Sequence, residues 1–281
     1  MKITSVPAVS ELILTALQED CGNGDITTIS TIPEDAVAYG RYIAKQDGIL
    51  CGMPVVRAVF DEIDPNIRLT VNFKEGDAFK KGDILAEVEG DARSVLTGER
   101  VGLNLLQHMS SIATMTSEAV AKVEGCKAKI ADTRKTTPGL RYLEKLAVRV
   151  GGGTNHRYNL SDGVLIKDNH IVAAGGITNA VAAARAAIPH TLKIEVEVES
   201  FEQLREALDA GADIVMLDNM SCEDMKHAVE ITAGRALLEA SGNMGERDLC
   251  AVAQTGVDII SIGALTHSVK ALDISLKFKL V

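Results

Sequence analysis

The chain has 281 residues, 46% of them apolar, enough to bury a large core as one big domain or two. A formal net charge of −10 and a scarcity of aromatics (no Trp, 5 Phe, 4 Tyr) argue against nucleic acid as a partner, which needs a basic face or stacking platforms. Five scattered cysteines without a CxxC pair give neither a disulfide framework nor a thiolate metal site, and no apolar run reaches the roughly 18 residues of a membrane span.

The N-terminal segment VSELILTALQED carries acids and no basic region. It therefore predicts an amphipathic helix over 10–19 and not a signal peptide, and the expected location is the cytoplasm, without a membrane partner. Residues 36–49 read as strand, break and strand, and 54–63 as a helix. Residues 68–73 are a strand, KEGD a turn, and 83–89 (DILAEVE) a period-two strand. The phrase EGDAFKKGDILAEVEG has the look of a biotinyl or lipoyl hairpin, but no lysine stands at a tip in an EAMKM or DKA context. Residues 92–122 form a long apolar helical region, with Gly98 and Gly102 as places for a kink.

From about residue 128 the pattern becomes rhythmic. Short apolar runs at 128–131, 163–166, 193–198, 213–217, 236–239 and 258–262 alternate with helical patterns at 177–187, 201–210, 223–232 and 246–253. Such alternation predicts a parallel sheet of βα units. Each run ends in polar residues: Asp132 to Lys135, Lys167 to Asn169, Glu197, Asp218-Asn219, Glu239 to Gly242, and Ser261 with Gly263. Polar groups from many successive strand ends converge in a barrel, whereas a doubly wound sheet gathers them at one switch point. The predicted fold is α/β: an N-terminal α/β sandwich domain plus an open, incomplete (β/α) barrel of about six parallel strands. The expected boundaries are 1–112 for the first domain and 113–265 for the barrel, with the apolar tail 266–281 packing back on the first domain.

Between residues 134 and 167 stand seven basic residues (Arg134, Lys135, Arg141, Lys145, Arg149, Arg157, Lys167) against two acids, Glu144 and Asp162. In an acidic protein that surplus marks a site for something strongly anionic. Pro138 predicts a helix opening there, with Thr136 or Thr137 as its N-cap and its N-terminus adding partial positive charge. On that helix Lys145 and Arg149 read as a solvated face. Gly151-Gly152-Gly153 ends it and frees a loop that presents His156 and Arg157. Lys167 follows GVLI, so its ammonium needs an anionic partner at the barrel rim. In IEVEV, Glu195 and Glu197 alternate with aliphatics and face the interior, where carboxylates require pairing. Glu197 and Asp218 suit substrate hydroxyls or a hydrated Mg2+. Ser241-Gly242-Asn243 and Gly263-Ala264 follow late strands, a frequent place for phosphate. The residues alone thus indicate an enzyme with two anionic substrate parts, one of them a phosphate.

The combination DTRKTTPGLR, GGGTNHRYNLSDGVLIKDNH, IEVEVES, GADIVMLDN, LEASGN and DIISIGALTHS, with NGDITT near residue 23 and GER at 98–100, resembles the quinolinate phosphoribosyltransferase family over essentially the whole chain. The resemblance implies joining quinolinate to 5-phosphoribosyl 1-pyrophosphate (PRPP), with Mg2+, to give nicotinate mononucleotide, pyrophosphate and CO2 in NAD biosynthesis. It implies a homodimer or an assembly of dimers with shared active sites. Arg134, His156, Arg157 and Lys167 would bind the pyridine carboxylates, with Arg100 reaching in from the partner subunit. Lys135 would contact the pyrophosphate of PRPP, Glu197 and Asp218 would hold ribose hydroxyls and Mg2+, and Ser241, Gly242 and Gly263 would cradle the 5-phosphate. The rival expectations are a molybdate-transport-associated relative with another substrate and a non-catalytic phosphate-ligand binding barrel.

Overall fold

The structure, a computed structural model, describes residues 3–280. After a 3-10 turn (Ile3–Ser5) come α1 (Pro7–Cys21), α2 (Ile26–Thr31), β1 (Val37–Ala44), β2 (Gly48–Ile49), α3 (Met53–Ile63), β3 (Arg68–Val71), β4 (Ala78–Phe79), β5 (Ile84–Asp91) and α4 (Ala92–Lys122). The alternating part is β6 (Lys129–Ala131), α5 (Arg141–Val150), β7 (Val164–Ile166), α6 (Asp168–Ala174), α7 (Ile177–Ala187), β8 (Ile194–Val198), α8 (Phe201–Asp209), β9 (Ile214–Asp218), α9 (Cys222–Thr232), β10 (Leu237–Ser241), α10 (Leu249–Ala253), β11 (Ile259–Ser261), α11 (Ala264–His267) and β12 (Ile274–Leu280). These elements fall in two compact units. One holds the described residues up to Ser117, with Thr137–Gly152 and the tail from Val269; the other holds Glu118–Thr136 and Gly153–Ser268.

The first unit is built on an antiparallel sheet of order β12-β1-β5-β3. In β1 the sequence VAYGRYIA alternates, so Ala38, Tyr42 and Ala44 are buried while Val37 and Arg41 are exposed. The C-terminal tail supplies the strand beside β1, with Tyr42 opposite Leu276. Phe60, Phe79, Leu85 and Leu106 join Tyr42 in the core. The helix α4 runs unbroken through Gly98 and Gly102; at Gly98 the value is close approach, since a Cβ there would meet Phe60 and Ile63 of α3 at about 3 Å.

The second unit is a parallel sheet of order β6-β11-β10-β9-β8-β7. Its edges β6 and β7 do not pair among the described residues, so the barrel is open, and Thr154 lies beside Ala131 as an isolated bridge on the β6 side. The helices between strands start where the sequence offers a cap: Ser200 accepts from Gln203 N–H, Ser221 from Asp224 N–H, and Asp248 from Cys250 and Ala251 N–H. No helix among the described residues is long and apolar enough to cross a membrane.

Four expectations are corrected. The helix expected to open at Pro138 begins at Arg141. Gly139 at φ +83° forms a turn instead, and the Thr137 N–H donates to Glu144 Oε2 at 3.1 Å, so no threonine caps the helix. On α5 the residue expected on a solvated face, Lys145, is buried, beside a fully buried Glu144 that bonds His108 Nε2 at 2.9 Å. The helix expected over 246–253 is a short turn, Met244–Glu246, followed by α10 from its Asp248 cap. The helices α2, α6 and α11 were not expected.

Gly151, the first of three glycines after α5, has an ordinary helical φ of −73°. A Cβ there would overlap the Ala113 carbonyl oxygen and lie 2.7 Å from Thr116 Cβ, so the backbone of α4 forbids a side chain. We expect Gly151→Ala to lower stability by about 3 kcal/mol, the upper part of the overpacking range, read as a fall in the denaturant midpoint at constant m-value.

Candidate active site

A cavity of about 480 Å³ opens at the C-terminal ends of the second unit's strands. Arg134, Lys135, His156, Arg157, Lys167 and Glu197 line it, with Asp218, Ser241 and Gly242. The structure thus brings together most of the residues that the sequence singled out. Gly263 is outside the lining but sits against Lys135: a Cβ on it would lie 3.1 Å from Lys135 Cδ. Arg100 lies exposed on α4, outside the lining of this cavity.

The loop after Gly153 is fixed to the end of β6 by backbone and side chain. Thr154 N–H donates to Ile130 O at 2.8 Å. Asp132, fully buried, accepts from the His156 N–H at 2.9 Å and from Asn155 Nδ2 at 2.5 Å. This places Arg157, whose Nη1 donates to Gly163 O at 2.8 Å. Burial and then the neighbouring Arg134 draw the Arg157 pKa downward, against the attraction of Glu195 and Asp162. An arginine stays charged regardless, so this crowding of cations favours an anion between them. Across the cavity Lys167 Nζ pairs with Glu197 Oε2 at 2.5 Å. Lys135 is exposed, and its carbonyl accepts from the Thr266 hydroxyl at 2.8 Å.

After β9 and β10 the backbone is shaped by short polar residues and glycine. Asn219 and Asn243 adopt φ of +55° and +50°, conformations that asparagine tolerates better than most residues. Asn219 N–H bonds Ser241 O at 3.1 Å and its side chain donates to Asp218 Oδ2 at 2.7 Å. Gly242 sits at φ +94°, and a Cβ there would overlap the Asn219 side chain, so the two strand ends pack as closely as glycine permits.

Below these groups lies a trio whose Glu239 the sequence placed at a polar strand end without assigning it to the site. Glu195 and Glu239 are 4% and 2% exposed and both face the His156 ring, at 2.9 Å and 3.8 Å from Nε2. The spacing that marked Glu195 and Glu197 was available here too, since Glu239 precedes Ser241 by two positions on one strand. Three such ligand atoms within 4.8 Å of one another could hold a metal. The histidine argues otherwise. Its Nδ1 accepts from the Arg157 N–H at 2.8 Å, so the ring hydrogen belongs on Nε2, where a metal would have to bind. His156 therefore engages protein groups at both ring nitrogens while it lines the cavity. Burial, and then the charge of Glu195, push the Glu239 carboxyl up to about 7, against the pull of His156 and Ser261.

An open parallel barrel with a cationic cavity and a glycine turn at its late strand ends defines an enzyme of phosphorylated, anionic substrates. Comparison with known proteins gives the family. Residues 112–277 match the model described as quinolinate phosphoribosyl transferase, C-terminal domain, and residues 25–110 match its N-terminal domain. A nicotinate-nucleotide pyrophosphorylase (carboxylating) of Mycobacterium leprae is 45% identical over 275 residues, covering 96% of both chains. A quinolinate phosphoribosyltransferase (decarboxylating) of Nicotiana tabacum is 42% identical over 96% of this chain and 82% of its own. The solved nicotinate-nucleotide pyrophosphorylase of Francisella tularensis superimposes with a TM-score of 0.93 at 42% identity, covering 97% of this chain and 96% of that one. The chain belongs to the quinolinate phosphoribosyl transferase family.

The raised Glu239 carboxyl has a consequence for stability. Stability linked to its proton is fully present below the ordinary value of 4.5 and is lost as pH rises through about 7. Glu239→Gln, which cannot ionise, should therefore gain in Tm over wild type as pH is raised from 4.5 to 8. A Tm difference that stays constant across that window would show that the carboxyl is not raised.

Proposed function

We propose that the protein transfers the phosphoribosyl group of PRPP to quinolinate, releasing pyrophosphate and CO2 and forming nicotinate mononucleotide, a step of NAD biosynthesis. The observation that carries this reading is the gathering of Arg134, Lys135, Arg157 and Lys167 around one cavity in a chain of net charge −10. Both substrates are polyanions, and a cationic cup is what concentrates and orients them.

In this reading Arg134, Arg157 and Lys167 hold the two pyridine carboxylates, the arginines through planar forks that match a carboxylate. Lys167 exchanges Glu197 for substrate, so its ammonium always keeps a counter-charge. His156 aligns Arg157 through the bond from that residue's backbone N–H. Lys135 meets the pyrophosphate of PRPP, while Ser241, Gly242 and Gly263 receive the 5-phosphate. Glu197, released by Lys167, joins Asp218 at the ribose hydroxyls, where their charge favours the cationic ribose carbon as pyrophosphate leaves. These two carboxylates stand on the adjacent strands β8 and β9 and offer hard oxygen donors, a set that fits Mg2+ shared with phosphates. Mg2+ bound there would neutralise charge on the departing pyrophosphate. No covalent nucleophile is needed: once the ring nitrogen is cationic it stabilises the electron pair left by CO2, and the protein orients and desolvates. The reading extends to a cytoplasmic homodimer, or an assembly of dimers, in which the exposed Arg100 of each chain completes the neighbouring site.

Product formation from quinolinate, PRPP and Mg2+, followed by quinolinate absorbance and NMR, tests this directly. Wild type should give nicotinate mononucleotide, and Arg134→Ala should lose at least about 30-fold in kcat/KM for quinolinate, about 2 kcal/mol. PRPP binding without product would make this a binding protein. Lys135→Ala should raise the KM for PRPP by at least about tenfold while quinolinate affinity stays within about twofold. Near-normal turnover at low PRPP would remove Lys135 from the site.

A further inference from the structure

The reaction proposed above consumes a proton that none of the roles assigned so far supplies. When the bond to the departing carboxylate breaks, its electron pair stays on the ring carbon beside the cationic nitrogen, and CO2 leaves. That pair must then form a C–H bond, so one proton is taken up per turnover.

The floor of the cavity holds a candidate donor. Glu239 lines the cavity, is 2% exposed, and its Oε1 has no hydrogen-bond partner within the protein. Glu195 Oε1 is likewise buried without a partner, and the Nε2–H of His156 goes to Glu195 Oε2 at 2.9 Å, leaving Glu239 Oε1 3.8 Å away and unbonded. A buried carboxyl without a donor, set beside a second carboxylate, favours its protonated form, and Glu239 is in that position. The groups that face Glu239 from each neighbouring element are Glu195 on β8, His156 on the loop, Asp132 after β6 and Ser261 on β11, with Arg157 beyond Glu195.

A second cavity, of about 390 Å³, lies on the other side of this floor. Its lining includes Val164, Ile214 and Ile259, the first residues of β7, β9 and β11, so it sits toward the N-terminal ends of the strands. His156, Arg157 and Glu239 line both cavities. Glu239 thus stands between the substrate site and a separate space large enough for water.

We propose that Glu239 is the acid that protonates the ring carbon vacated by CO2, held in place by Glu195 and His156. The ring carbon can recapture CO2 until it is protonated, so the proton that moves from the Glu239 carboxyl to form the C–H bond commits the loss of CO2, and the carboxylate left behind is reprotonated by water from the second cavity. This rests on the quinolinate reading, and the step is a net proton transfer without redox change.

Single-turnover quenched-flow with quinolinate labelled in the carboxyl that departs separates the two halves of the reaction. Glu239→Gln should release pyrophosphate at close to the wild-type rate, yet release CO2 more slowly by on the order of 100-fold, with the undecarboxylated ribotide accumulating. In wild type the rate of CO2 release should fall as pH rises past about 7 while pyrophosphate release does not. CO2 keeping pace with pyrophosphate in Glu239→Gln would overturn the proposal. If that variant makes no pyrophosphate, the wild-type profile decides: a CO2 step indifferent to pH between 6 and 9 overturns the proposal, and the expected fall supports it. A wild type that makes no pyrophosphate from quinolinate and PRPP overturns the reaction assignment itself, and this proposal with it.

Discussion

The site depends on one buried carboxylate. Asp132 has no exposed surface, and an anion in that position is tolerable only if donors surround it. The His156 N–H and the Asn155 amide are such donors, and both belong to the loop that carries the cations. Because the barrel is open, the β6 edge has no β7 partner to align it. The Asp132 bonds and the Thr154 bridge take over that alignment and set the loop against the strand end. From there the order passes along short contacts: the Arg157 N–H fixes the His156 ring, and the ring faces Glu195 and Glu239. A change at Asp132 would therefore reach Arg157 and the floor together.

The cavity is arranged so that substrate charge completes it. Burial, and then Arg134, depress the Arg157 pKa, a crowding that an anion relieves. Lys167 and Glu197 meet the same problem differently, by pairing with each other. Their pair is half open, with the lysine side chain 45% and the glutamate 15% exposed, so exchanging the carboxylate for a ligand leaves no charge stranded. Cations that repel and cations that are provisionally paired both lower the cost of admitting a polyanion.

What the sequence disclosed, and what it hid, follows from which interactions are local. The barrel strands and the capped helices α8 and α9 were legible because period, cap and turn residues act within a few positions. Arg134, Lys135, Arg157 and Lys167 were legible as a group because they end strands or follow a glycine stop. The start of α5 was not, because Thr137 bonds Glu144 seven residues ahead and Gly139 turns the chain where Pro138 alone suggested a helix. The burial of Lys145 was hidden for the same kind of reason, since helical period assigns faces but not what covers them. Glu239 was overlooked as a site residue because its significance is the meeting with Glu195 across an intervening strand, and single-sequence pattern carries no cross-strand information. The glycine run after α5 was read as a stop, while Gly151 is required by the backbone of α4, a tertiary contact.

The same pleat that builds the core also sorts the site into levels. Across the sheet Glu195 pairs with Ile214, Glu197 with Met216, Met216 with Glu239, and Asp218 with Ser241, so these residues share one face. The other face carries Val196, Val215, Leu217, Leu238 and Ala240, all buried, with α7 and α8 packed against β8 and α8 against β9. Shifting any of these strands by one residue would turn aliphatics into the cavity and carboxylates toward the helices, which burial of unpaired charge forbids. The register is thus over-determined by the outer face, and the inner face inherits its order. Each step of two residues toward the strand ends moves from apolar Ile214 and Leu237, through Met216 and Glu239, to Asp218 and Ser241. A proton-holding floor beneath an open, charged rim is therefore a consequence of strand register, and neither level can be moved without displacing the other.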